Sequence, residues 1–324
     1  MNVDTDTLLR HKLINLLRAA LLLAGMLLLL GLVGWVLAGW YGVLWAVLIG
    51  AVVLAVVPGI QPRLVLARSG ALRLPREAAP VLYQVMDRLY QRAGVKASPQ
   101  LWYVPSGALN AFAVGGRRGG AIAVTAGLLR ALSLRQVAGV LAHETSHLRH
   151  NDTWVMALAS LITELTSWLA LLGLVVILLT IPYALAGDVV LPWPVLLILV
   201  IVPTLSTLLQ LSLSRTQEFN ADLEAARLTG DPRGLAEALA RLEQSRGAWL
   251  QRVFLPRQRP SWVPGWLRSH PETGERIRRL LELASGRDME PIVPLRTGLR
   301  ASHGVRPSWG MRRPRAAGRR VFRL

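Results

Sequence analysis

A chain of 324 residues without a single cysteine excludes disulfide scaffolds and thiolate metal sites, and it fits a reducing compartment. A net charge of +18 beside 52% hydrophobic residues excludes an ordinary soluble basic protein, so the apolar residues must be gathered in a few stretches.

The first stretch comes at once. Residues 19 to 62 hold no Asp, Glu, Lys or Arg, and about 20 residues at about 1.5 Å each cross a bilayer core. Two crossings fit, with Gly39-Trp40-Tyr41-Gly42 as the turn and Pro58-Gly59 as the end. The stretch is too long for a cleaved signal peptide and reads as an anchor, a membrane hairpin over residues 13–59 behind a short N-terminus at 1–12. Next comes a polar segment, residues 60–152. Residues 80 to 93 read as an amphipathic helix, because Val81-Leu82, Val85-Met86 and Leu89-Tyr90 recur at helical spacing and Gly94 stops it. Residues 101–104, 109–114 and 121–125 read as short strands, the last two joined by a Gly-rich hairpin loop. A second helix should start after Ser133, with Gln136 completing a capping box.

That helix runs into His143-Glu144-x-x-His147. Residues four apart on a helix sit one above the other, so two imidazoles there can converge on one zinc ion while Glu144 faces a water molecule. In a chain with six histidines the spacing is informative. The plainer alternative is a solvated helix face, since Arg149 and His150 continue the polar run, and His150 itself reads as a surface residue.

Two further spans are expected near residues 157–181 and 192–213, a second hairpin over 153–213, with Pro203 kinking the last. Glu164 falls inside or at the edge of the first of these, where a carboxylate is a functional candidate by default. Trp35, Trp40, Trp45 and Trp193 read as interfacial anchors. The two short connections between spans carry no Lys or Arg, whereas every other segment is rich in Arg, so both termini and the large loop should be cytoplasmic. The chain is therefore expected to be a multi-pass α-helical protein of the cell membrane, with a mainly α cytoplasmic catalytic domain carrying a small β-sheet.

Zinc needs a third protein ligand and leaves its fourth place to water. The candidates are His11, His270, His303 and the carboxylates. In residues 214–285 the pair Glu218 and Asp222, four apart on a helix, suits a ligand plus an acceptor for the second N–H of a ligating imidazole. Between His147 and Glu218 lie two expected spans, and an even number of crossings returns the chain to the same side. The alternative is an ordinary charged helix start with surface pairs.

The ordered set of motifs resembles the HtpX-type membrane zinc metallopeptidases, within the wider family that includes the CAAX prenyl proteases. The elements are Asn110-Ala111-Phe112-Ala113, Ile122 to Leu129, His143-Glu144-x-x-His147, a membrane hairpin, Ser214-Arg215-x-x-Glu218-x-x-Ala221-Asp222, and His270-Pro271 with Arg276. Two spans before the motif and two after fit the HtpX type better than the seven-span prenyl proteases. The resemblance implies a zincin-like fold and one zinc per chain, with His143, His147 and Glu218 as ligands and Glu144 as the base. It implies that Asp222 orients His143, and that Asn110, His270 and Arg276 line the site, the last two helping to hold the tetrahedral intermediate. From the residues alone, His270 and Arg276 read equally as a loop histidine and a helix-surface arginine.

The expected activity is metal-assisted hydrolysis of peptide bonds in membrane or misfolded polypeptides at the cytoplasmic face. The alternatives are a scaffold or adaptor that keeps the fold without catalysis, or prenyl-protein processing. The strand with Ala111, Phe112 and Ala113 offers its outer edge to a substrate strand. Of prolines at Ala111 and Ala113, only the one whose N–H faces substrate is expected to matter. Residues 296–324 hold nine arginines and no carboxylate within the tail 286–324. That tail is expected to be disordered and to meet the anionic leaflet. Nucleic acid is a poorer fit, because no recognition motif accompanies the arginines.

Overall fold

The computed structural model describes residues 5–56, 62–94, 100–116, 120–188, 190–253, 273–285 and 291–293. His11 and His303 carry no described side chain, and His270 and the Arg-rich tail lie outside the described residues. The chain divides into two compact units. One holds the described parts of Met1–Gln61 and Asp152–Glu218, the other those of Pro62–Asn151, Phe219–Val263 and Glu272–Leu324.

The first unit is built from three long apolar helices, α1 (Thr5–Val56), α6 (Asp152–Leu185) and α7 (Trp193–Thr229), each long and apolar enough to cross a membrane. Helix α1 is two helices in one run. Ala38 (φ −143°, ψ 22°) and Gly39 (φ 57°, ψ −140°) leave the helical region, and glycine is the residue that takes a positive φ without strain. The two arms fold back on each other. A Cβ added at Gly42 would collide with the Gly34 carbonyl oxygen, an approach that a straight helix excludes for residues eight apart. Three helical runs therefore supply four apolar helical arms. Ala46 of the second arm packs with Met26 and Leu30 of the first and with Leu158, Ala159 and Ile162 of α6. A polar seam ties α6 to α7: the Thr163 and Ser206 hydroxyls lie 3.2 Å apart, and Gln210 donates to Ser160 Oγ at 2.8 Å. Helix α7 continues through Pro203, whose carbonyl accepts from the Thr207 hydroxyl one turn on, so the proline does not end the helix.

In the second unit, a short helix α2 (Pro62–Arg68) leads to β1 (Leu72–Arg73), an edge strand that the sequence pattern gave no sign of. Helix α3 (Pro80–Ala93) ends at Gly94 in the left-handed conformation, the cap that glycine favours. Strands β2 (Gln100–Val104), β3 (Ala111–Val114) and β4 (Ala121–Thr125) complete a sheet ordered β1-β2-β4-β3. The hairpin partners β3 and β4 are antiparallel, β2 and β4 parallel. Strand β3 is thus an edge. It starts at 111 instead of 109 because Thr125 captures the chain just before it: the Thr125 hydroxyl donates to the Ala108 and Asn110 carbonyls and accepts from the Asn110 N–H. The same hydroxyl caps α4 (Ala126–Ala131).

Helix α5 (Leu134–His150) begins with the Ser133–Gln136 capping box, both reciprocal hydrogen bonds being present. Its apolar face, with Val137, Ala138, Leu141 and Ala142, sits in one core with Leu82, Met86 and Leu89 of α3, Ile122 and Val124 of β4, and Leu235 of α8 (Pro232–Val253). Gly139 lets α8 approach closely, since a Cβ there would be 3.0 Å from the Leu235 backbone. Asn151, at φ 58°, ends α5 and separates it from α6.

Candidate metal centre

Helix α5 presents His143, Glu144 and His147 from its last two turns, the first two buried and His147 half-buried. The His143 and His147 rings stand edge to face at 89°, and their Nε2 atoms meet at 3.1 Å. His143 Nδ1 lies 3.0 Å from Asp222 Oδ1. An ionised carboxylate only accepts, so the tautomer that suits this contact has the proton on Nδ1 and leaves the Nε2 lone pair toward His147.

Asp222 is placed by α7, and on the turn before it α7 carries Glu218. The ligand-capable atoms of His143, His147 and Glu218 lie within 4.8 Å of one another. Two nitrogens bound to tetrahedral zinc at about 2.0–2.1 Å sit roughly 3.3–3.4 Å apart. The observed 3.1 Å is close to that spacing. The donor set, two imidazoles and a carboxylate with one imidazole backed by a second carboxylate, fits a divalent metal with an open fourth position. Glu144 forms no hydrogen bond or ion pair among the described residues, so its carboxylate remains available to a water molecule.

Arg276, from α9 (Thr273–Ser285), is 2% exposed and donates to both oxygens of Asp222, from Nε at 2.6 Å and Nη2 at 2.7 Å. It is thus no helix-surface arginine, the plainer of its two expectations. Burial pushes the Asp222 carboxyl up, but the hydrogen bonds from Arg276 and His143 outweigh it and hold it below the usual carboxylate range.

Asn110 is fixed through its backbone to Thr125, immediately before β3. Its carbonyl also accepts from the Thr125 N–H, so Asn110 and Phe112 direct their peptide groups at β4. Alternation then points the N–H groups of both Ala111 and Ala113 at the outer edge. The expectation that only one of two prolines there would matter is corrected: positions two apart share a side.

Three contributors went unread in the sequence. Glu224 receives Arg149 and lies 3.3 Å from His150 Nε2, clamping the end of α5 to α7, so His150 is more than a free surface residue. Tyr90 is buried in the core on which α5 packs; burial raises its pKa well above the ordinary tyrosine value, so it stays neutral. Thr125 pins Asn110. Only Thr125 had a local signal, a capping residue at a strand-to-helix junction.

The model of peptidase family M48 matches residues 77–284. A protease HtpX homolog of Acaryochloris marina is 39% identical over 226 residues, 66% of this chain and 76% of that protein. A second, from Methanocaldococcus jannaschii, is 34% identical over 256 residues, 72% of this chain and 87% of its own. The crystal structure of Ste24p from S. mikatae aligns over 85% of this chain and 66% of that chain, with a TM-score of 0.41 and 19% identity.

Proposed function

Since the chain belongs to peptidase family M48 and is a membrane metalloprotease of the HtpX type, we propose that it is a zinc-dependent endopeptidase whose substrates are membrane or misfolded polypeptides cut at the cytoplasmic face. The observation that carries this reading is the convergence of His143 and His147 Nε2 at 3.1 Å beside Glu218, with the unengaged carboxylate of Glu144 on the same helix.

His143, His147 and Glu218 would hold the ion, one per chain. When bound, zinc polarises a scissile carbonyl and makes water a stronger acid. Glu144 takes a proton from the attacking water and returns it to the leaving amine. Asp222 keeps His143 in the tautomer that offers its Nε2 lone pair, and Arg276 fixes Asp222 in place. Asn110 stands ahead of β3, whose outer edge can pair with an extended substrate without reading its side chains. His270 and Arg276 are proposed to meet the tetrahedral intermediate, as the family resemblance implies. The cytoplasmic orientation is supported by the distribution of arginine, and the Arg-rich tail suits the anionic leaflet.

Glu144→Gln should lower cleavage of an unfolded casein-type substrate by at least about 10²-fold, with one zinc per chain retained by elemental analysis. Glu218→Ala should lose zinc affinity along with activity. Comparable cleavage by the Glu144 variant would refute the mechanism, and full zinc occupancy in the Glu218 variant would refute the ligand assignment.

A further inference from the structure

Among the described residues, one carboxylate lies away from the helix ends on the apolar surface of the membrane unit. Glu164 lies on α6 with its side chain exposed, and it forms no hydrogen bond or ion pair among the described residues. The hydroxyls one turn to either side do not bond it. Ser160 accepts from Gln210, and Ser167 donates to the Thr163 carbonyl.

Its depth follows from packing within the unit. Ile162, two positions earlier, shares a cluster with Met26 and Leu30 of α1. Arg18, the last charge before the hairpin, precedes those two by eight and twelve positions, about 12–18 Å along the helix. On the other side, Gly173 receives Leu37, next to the hairpin turn, and it lies nine positions after Glu164, about 14 Å. Exposed apolar side chains continue in both directions. Leu21 (63%) and Leu211 (50%) lie toward the charged end, Trp168 (69%) and Leu171 (48%) toward the other. Glu164 is therefore inside the apolar band and not at its rim. It also heads a stripe of exposed residues, Trp168, Leu171, Val175 and Leu178, at the alternating spacing of four and three that a partner helix packs against.

We propose that Glu164 is a selectivity residue that pairs with a Lys or Arg inside the membrane segment of a polypeptide docked along this stripe. A charge at such depth is costly unless it is paired, and the pairing cation cannot come from a second copy's spans: residues 19–62 and 151–214 contain no Lys or Arg. With headgroups at the level of the last charge, Arg18, a lipid amine would lie about 12 Å or more along the helix from Glu164, beyond the reach of its side chain. A foreign membrane segment with a basic residue at mid-span meets both constraints. Such a residue is most exposed in a segment lacking its proper partners, so Glu164 would direct the protease toward unassembled membrane proteins. This rests on the endopeptidase reading given above.

The test uses the full chain in phosphatidylcholine nanodiscs with two single-span reporters, identical in scissile segment and differing only in Lys or Leu at mid-span. Wild type should cleave the Lys reporter roughly three- to tenfold faster, the range of intramembrane polar side-chain pairs. Glu164→Gln should lose that preference with casein cleavage unchanged, and Glu164→Lys should shift it to a reporter with mid-span Asp. Association of the reporters with the Glu144→Gln chain, read by fluorescence transfer, should show the same Lys preference without turnover. That readout separates failure of this inference from failure of the protease reading, which casein cleavage reports. A Lys preference that survives Glu164→Gln, the absence of any preference in wild type, or its abolition by added phosphatidylethanolamine, which would make a lipid amine the occupant, would overturn the proposal.

Discussion

Replacing Arg276 with alanine probes how the metal centre is held together. Arg276 is 2% exposed and spends two hydrogen bonds, at 2.6 and 2.7 Å, on the carboxylate that also faces His143 Nδ1 at 3.0 Å. Its removal leaves Asp222 buried with much of its charge uncompensated, and breaking a buried pair from one side costs about 3–5 kcal/mol. In a domain of roughly this size each kcal/mol moves the midpoint by about 2–4 °C, so the metal-free chain should melt roughly 6–20 °C lower. A loosened Asp222 also releases the His143 ring, and loss of such support lowers metal affinity about 10–100-fold, with Arg276→Ala expected at the low end and Asp222→Ala at the high end. Arg276→Lys should fall between, because an ammonium keeps the charge but not the two-pronged contact. The double variant should regain part of the stability, since the stranded carboxylate is then gone. Thermal melts of the detergent-solubilised chain and zinc competition against a chelator measure both effects. If Arg276→Ala melts and binds zinc like wild type while turnover collapses, the arginine acts on the tetrahedral intermediate alone, and its proposed support of His143 through Asp222 is refuted.

Proline at Ala111 or at Ala113 should each strongly reduce turnover with zinc content unchanged, because both N–H groups face the outer edge of β3, whereas proline at Phe112 removes a bond to β4 and should lower the melting temperature as well; full activity of both edge variants would exclude this edge as the docking site. Reporter fusions after Gly39 and near Asp188 should report the outside, and fusions after Arg63, Asp152 and Arg287 the cytoplasm; a cytoplasmic result at Asp188 would break the even number of crossings between His147 and Glu218.

Local rules made much of the chain readable. Apolar runs free of charge marked the spans, Gly39 the hairpin turn, Gly94 and the Ser133–Gln136 box the ends of α3 and α5, and alternating short apolar runs the β3–β4 hairpin. The pair His143 and His147 was legible because a helix places residues four apart on one face whatever surrounds it. Each of these is decided by steric and hydrogen-bonding demands within about one turn of chain. The two-residue strand β1 was not readable, since it exists only through pairing with β2, some thirty residues later. The same holds for Thr125 as the anchor of Asn110 and for Glu224 as the clamp on Arg149 and His150. These are contacts between residues distant in sequence, and any number of hydroxyls and carboxylates could have made them.

The sequence by itself determined which side chains can bind a metal, which helices can cross a membrane and in what order they come, because composition and period are enough for that. Only the tertiary structure decided that Arg276 is buried against Asp222 and not spread on a helix surface, and that Glu164 faces outward with no partner among the described residues. Burial and partner choice depend on what the rest of the chain packs against each residue, and no local pattern encodes it.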